Sequence, residues 1–105
     1  MKVYITLKDG TSATGEYDVN TKQLVVLKDS YVSESIVYST TFRGARLIEE
    51  KRKSFVKNRR VIKNITFTSA STAANFITGN STNGLVKWKD KNGKKLKDII
   101  AATEA

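Results

Sequence analysis

From residue 64 to residue 86 the chain carries no charge, yet Arg59, Arg60 and Lys63 precede this stretch and Lys87, Lys89, Lys91, Lys94 and Lys95 follow it. Such an arrangement suits the binding of a polyanion. Ser69 and Ser71 lie where a helix is expected to begin, and hydroxyls beside the free N–H groups of a first helical turn can hold a phosphate at the positive end of the helix dipole. Asn80, Ser81 and Asn83 offer donors and acceptors in a loop to a base edge or a sugar. The flanking lysines and arginines would neutralise phosphates, which fixes position without reading sequence. Trp88, between Lys87 and Lys89, offers a ring on which a splayed base could stack, worth roughly 1 to 3 kcal/mol. Each of these residues also has an architectural use. Ser69 is a good N-cap, Gly79 and Gly84 suit special backbone geometry, and Trp88, Phe67 and Phe76 are natural core residues.

Catalysis has little to work with. The chain has no His and no Cys, so proton exchange near pH 7 would fall to perturbed carboxylates, lysine or tyrosine, and disulfides and thiolate metal sites are excluded. Glu49 and Glu50 are adjacent, which on a helix points them about 100° apart and denies them a shared substrate or metal. Asp9, Glu16 and Asp18 lie in or beside expected turns, where acidic residues are turn formers. The Gly79 to Gly84 region lacks the lysine and following helix of a phosphate-cradling loop. A non-catalytic protein without cofactor or metal is expected.

The elements that must position these groups follow from periodicity. A chain of 105 residues, 39% of them hydrophobic, supports one core and one domain. Val3, Ile5 and Leu7 alternate with polar neighbours as a half-buried strand does, Asp9-Gly10 is a hairpin turn, and a second strand is expected over residues 11–17. After a turn at 18–22, residues 23–27 form an apolar run that belongs in the centre of a sheet. Residues 30–42 read as either a crossing loop or a fourth, irregular strand. A helix is expected over 43–56 with Leu47, Ile48 and Phe55 inward, followed by a basic connector to residue 63. In the third part, residues 64–105, Ser69 caps a helix with Ala70, Ala73, Phe76 and Ile77 on one face, and Gly79 closes it. Beyond the loop to Gly84, a short strand through Leu85, Val86 and Trp88, an Asp90 to Gly93 turn and a last helix with Leu96, Ile99 and Ile100 are expected. The fold class is α+β: a small antiparallel meander of three to four strands covered by two or three helices, with a carboxyl-terminal strand-turn-helix.

Net charge is +9, unevenly spread. Residues 1–42 hold four lysines against five carboxylates, and the remainder holds fifteen Lys and Arg against five. A basic half raises the local concentration of polyanions, which makes nucleic acid the leading partner class, DNA ahead of RNA. No apolar run is long enough to span a bilayer and the amino terminus shows no leader pattern, so a cytoplasmic protein without a membrane partner is expected.

One order of residues is specific. Phe67-x-Ser69-x-Ser71-x-Ala73-Ala74, Gly79, Asn83-Gly84, Trp88-Lys89, Asn92-Gly93-Lys94 and Leu96 resemble the restriction-associated domain of unknown function at the carboxyl terminus of GIY-YIG nucleases. That domain is related to the RAMA (restriction enzyme adenine methylase associated) domain. Ala13-x-Gly15, Val25 to Lys28 before Ser30, and Arg46-Leu47-Ile48 extend the similarity upstream. Members usually carry proline where this chain has Ala70, and often glycine where it has Asp29. The resemblance implies a module that binds duplex DNA beside restriction–modification or mobile-element enzymes, with modified bases among its targets. The alternatives are a protein–protein tether within a larger enzyme complex, and a factor that binds an acidic host protein.

Overall fold

A computed structural model describes residues 1–38 and 44–104, and within them the chain forms a four-stranded antiparallel sheet with four helices, an α+β arrangement. In β1 (Lys2–Thr6) Val3 and Ile5 turn inward, while Lys2, Tyr4 and Thr6 face out. The turn to β2 (Ser12–Tyr17) is made by Gly10 at φ +92 and by the Asp9 carboxylate, which accepts the Thr11 N–H at 2.8 Å. The next turn rests on Asp18, which accepts the N–H groups of Asn20 and Thr21, and on Lys22 in the left-handed region. As its apolar run implied, β3 (Leu24–Val26) is central in the order β1-β2-β3-β6.

The fourth strand comes from elsewhere than expected. It is β6 (Ile65–Phe67), paired Leu24 to Phe67, and its three residues are too few for periodicity to reveal. Residues 30–38 run as a loop, bridged from Tyr31 to Arg60 and tied to β2 by the Tyr31 N–H, which donates to Ser12 O, and by the Ser30 Oγ, which accepts the Thr14 N–H; 39–43 lie outside the described residues.

Helix α1 (Ala45–Phe55) buries Ala45 and Ile48 and half-buries Phe55. Leu47, expected inward, is 54% exposed, because one residue along a helix is a rotation of about 100° from Ile48. Lys53 pairs with Glu49 at 3.6 Å and Glu50 at 3.7 Å. The expected connector is a hairpin, β4 (Val56–Lys57) and β5 (Arg60–Val61), whose two-residue turn places Asn58 and Arg59 at φ 54 and 66. Arg59 is held there by its guanidinium, which donates to Val32 O and Thr11 Oγ1 and lies 3.7 Å from Asp9.

Helix α2 (Ala70–Thr78) begins and ends as its sequence dictates. The Ser69 Oγ accepts the Thr72 N–H at 3.1 Å, and Gly79 closes the helix at φ +72. Ala70, Ala73, Ala74, Phe76 and Ile77 are buried, with the Phe76 ring 5.2 Å from that of Phe67. Arg52 of α1 caps the far end: Nε and Nη2 donate to Phe76 O at 3.1 and 2.8 Å, and Nη1 to Ser33 O at 3.1 Å.

Where a strand was expected after Gly84, the chain makes one helical turn, α3 (Gly84–Lys87), with the Asn83 side chain accepting the Leu85 N–H. Close packing favours it. A Cβ on Gly84 would lie 2.2 Å from the Ala70 carbonyl, so the turn seats its backbone directly on the start of α2. Trp88 follows with no exposed surface, its Nε1 donating to Ala70 O at 3.0 Å. After the Asp90 to Gly93 turn, α4 (Leu96–Glu104) inserts Leu96 into a core cluster that runs from Val3 to Leu96.

Replacing Arg52 with methionine keeps bulk but removes the guanidinium donors from Phe76 O and Ser33 O. A loss of about 2 kcal/mol in unfolding free energy, read as a lower urea midpoint at constant m-value, is expected. An unchanged midpoint would remove Arg52 from this role.

Candidate nucleic-acid interface

Past Trp88 the chain lies along the outer edge of β1. Tyr4 N–H donates to Lys89 O at 2.7 Å and Lys89 N–H to Tyr4 O at 3.0 Å, while Leu96 N–H donates to Trp88 O. This pairing brings the two ends of the sequence together. Lys87, Lys89 and Lys91 line a groove of about 330 Å³ with Tyr4, Thr6, Asp90 and Gly93. An adjoining groove of about 470 Å³ is lined by Met1, Lys2, Tyr4, Asp90, Lys91 and Asn92. Tyr4, Lys91 and Asp90 border both. Among the described residues none of these four lysines is in an ion pair. The carboxylate that lines the grooves, Asp90, is drawn into its own turn, where Oδ1 accepts the N–H groups of Asn92 and Lys94 at 2.9 Å each.

The other expected site residues lie apart from this cluster. Lys94 is exposed on the Asp90 turn. The Ser69 Oγ serves α2 and shares a hydrogen bond with Thr72 Oγ1, and the Ser71 Oγ accepts the Gly84 N–H at 3.0 Å, so one hydroxyl is spent on the α2 cap and the other on the α2–α3 junction. They border a separate groove with Tyr17, Lys22 and Leu85. The carbonyl oxygens of the Asn80 and Asn83 side chains accept the N–H groups of Ser81 and Leu85, and Ser81 is exposed in the same loop. Arg59 is engaged as described, Arg60 pairs with Asp29 at 3.2 Å, and the Lys63 ammonium sits 4.9 Å from the centre of the Phe55 ring.

The flanking basic groups do not form one surface: Arg59 and Arg60 are occupied near Asp9 and Asp29, and Lys87, Lys89 and Lys91 gather at the β1 edge. Trp88 cannot stack a base, because its ring has no exposed surface and its N–H is taken. Tyr4, Lys2 and Thr6 join the cluster without having been expected. Their only sequence signal was the period of two in β1, which put all three on the polar face.

The carboxylates behave as turn formers. Hydrogen bonding by Thr11, side chain first and then N–H, with Arg59 assisting, holds Asp9 below the ordinary 3.8, and the N–H groups of Asn20 and Thr21 do the same for Asp18. Tyr38 donates its hydroxyl to Glu49, lowering the Glu49 carboxyl and raising the phenol. Burial brings Arg52 down to about 10, which leaves it charged at neutral pH. Among the described residues no group of three or more acidic, His or Cys side chains could hold a metal ion, and no helix is long and apolar enough to cross a membrane.

Fold and surface together define a small α+β domain with a lysine-rich sheet edge. The chain belongs to the family described as a domain of unknown function (DUF4357), matched over residues 3–100, from β1 into α4. Comparison with curated proteins and with solved structures gave no match.

Two outcomes test this geometry. Acrylamide is expected to leave the Trp88 emission unquenched until the protein unfolds; quenching in the native state would place the ring at the surface. The depressed carboxyls of Asp9 and Asp18 contribute stability above about pH 4 that is lost as the pH falls through their folded-state values, so the urea midpoint should drop below pH 4. Asp18→Ala should lessen that drop.

Proposed function

We propose that this chain is a non-catalytic, cytoplasmic nucleic-acid-binding module that docks the phosphates of DNA on the lysines of its β1 edge. The observation that carries the proposal is the gathering of Lys2, Lys87, Lys89 and Lys91 around Tyr4, free of ion pairs among the described residues. An unpaired ammonium keeps its full charge for a phosphate, and each neutralised phosphate releases condensed counterions. The resemblance to domains of GIY-YIG nucleases and to RAMA domains sets this activity beside restriction–modification or mobile-element enzymes, with duplex DNA and modified bases as targets to test.

Four phosphate contacts predict that log K falls with log salt at a slope of about −3 to −4. Anisotropy titrations with plain and methylated duplex, and with a single strand, measure it. The double substitution Lys87→Glu, Lys89→Glu should cut the slope by about 2 and the affinity more than tenfold at low salt. A flat salt response in the unaltered protein would end this proposal.

A protein–protein tether is the second reading, supported at a different place. Tyr31 and Ile62 are 45% and 42% exposed around a groove with Lys57 and Arg60, an apolar pair beside the β4–β5 hairpin. A partner that stays bound through nuclease and high salt, and is lost on Ile62→Ser, would favour it.

A further inference from the structure

The lysine cluster surrounds a ring, and phosphate docking gives that ring nothing to do. Tyr4 is 36% exposed on the outward face of β1, and its main-chain N–H and C=O are both fixed by Lys89, so the ring is anchored on a rigid strand. Grooves open on either side of it, with the Thr6 side chain and Lys87 and Lys89 along one and Lys2 and Asn92 along the other. The remaining tyrosines differ in setting. Tyr17 is buried, Tyr38 donates to Glu49, and Tyr31 lies beside Ile62 and an arginine already paired with Asp29.

Duplex DNA presents phosphates outward and keeps its bases stacked inside, so a flat ring gains no partner from it. A single strand exposes the faces of its bases, and a basic groove interleaved with an exposed aromatic ring is the arrangement that takes hold of both parts at once. From this geometry we infer that the ligand is single-stranded DNA, with one base stacked on Tyr4 and the neighbouring phosphates on Lys2, Lys87, Lys89 and Lys91. The inference rests on the phosphate-docking proposal and sharpens it. Tyr4 takes the stacking role for which Trp88 is too deeply buried.

The test uses the full chain, a labelled short oligothymidylate, an abasic strand of the same length, and a duplex of that length. The unaltered protein should bind the oligothymidylate about tenfold to hundredfold more tightly than the abasic strand, which offers only phosphates. Tyr4→Thr, which retains strand propensity, should remove that preference while leaving affinity for the abasic strand and the salt slope unchanged. Tyr4→Phe should bind as the unaltered protein does. Equal binding of base-bearing and abasic strands, with steep salt dependence, would overturn the stacking and leave phosphate docking intact. Tighter binding of duplex than of single strand would overturn the choice of ligand. Failure to bind any strand in a salt-dependent way would remove the phosphate proposal itself. Should Tyr4→Thr fail to fold, the comparison of strands on the unaltered protein still decides.

Discussion

The burial of the Trp88 indole governs this structure. A ring of that size is accommodated only because its neighbours are small. A Cβ on Gly15 of β2 would lie 3.4 Å from the indole and 2.8 Å from Leu24, and Gly84 allows the turn before Trp88 to rest on the backbone of Ala70. Its N–H finds Ala70 O, so no donor is left orphaned inside. With the indole fixed inward, the chain on its far side has one course, along β1, and the charged neighbours are left at the rim. Lysine placement is a by-product of tryptophan placement.

A second constraint acts at the opposite end of α2. Arg52 reaches from α1 to the last carbonyls of that helix and to Ser33, placing a cation at the negative end of the helix dipole. Around it the chain is crowded: a Cβ on Gly79 would lie 2.3 Å from Ser35 O, and Ser33 N–H donates to Ile77 O. One guanidinium therefore joins α1, the irregular segment after β3 and α2, which share no strand pairing with one another.

What the sequence made legible were features decided by a few adjacent residues. The alternation of β1, the Asp9 and Asp18 turns, the Ser69 cap and the Gly79 stop depend on local spacing and were read correctly, as was the α+β class. Of the elements of two to four residues, β3 was legible from its apolar run and the others were missed. For β4, β5, β6 and α3 no period can be established, and pairing across the fold decides their form. The uncharged stretch from 64 to 86 misled for a physical reason: much of it is uncharged because β6 and α2 are core, which is why its polar oxygens cap and brace. The meeting of Lys89 with Tyr4 spans nearly the whole chain, and no local pattern encodes it. Asp29 sits at φ +75, a conformation glycine adopts without strain, and its place at the turn after β3 was not legible from its residue type.

The bridge between Tyr4 and Lys89 has a further effect on how copies of this protein meet. An open sheet has two rims, and either can recruit another chain's strand and seed fibrils. Here one rim has its central peptide groups already occupied and is flanked by ammonium groups that repel an identical neighbour, and the other, β6, offers three residues of backbone. A crowded solution of this protein is thus guarded against edge-to-edge growth by the same lysines that line the two grooves.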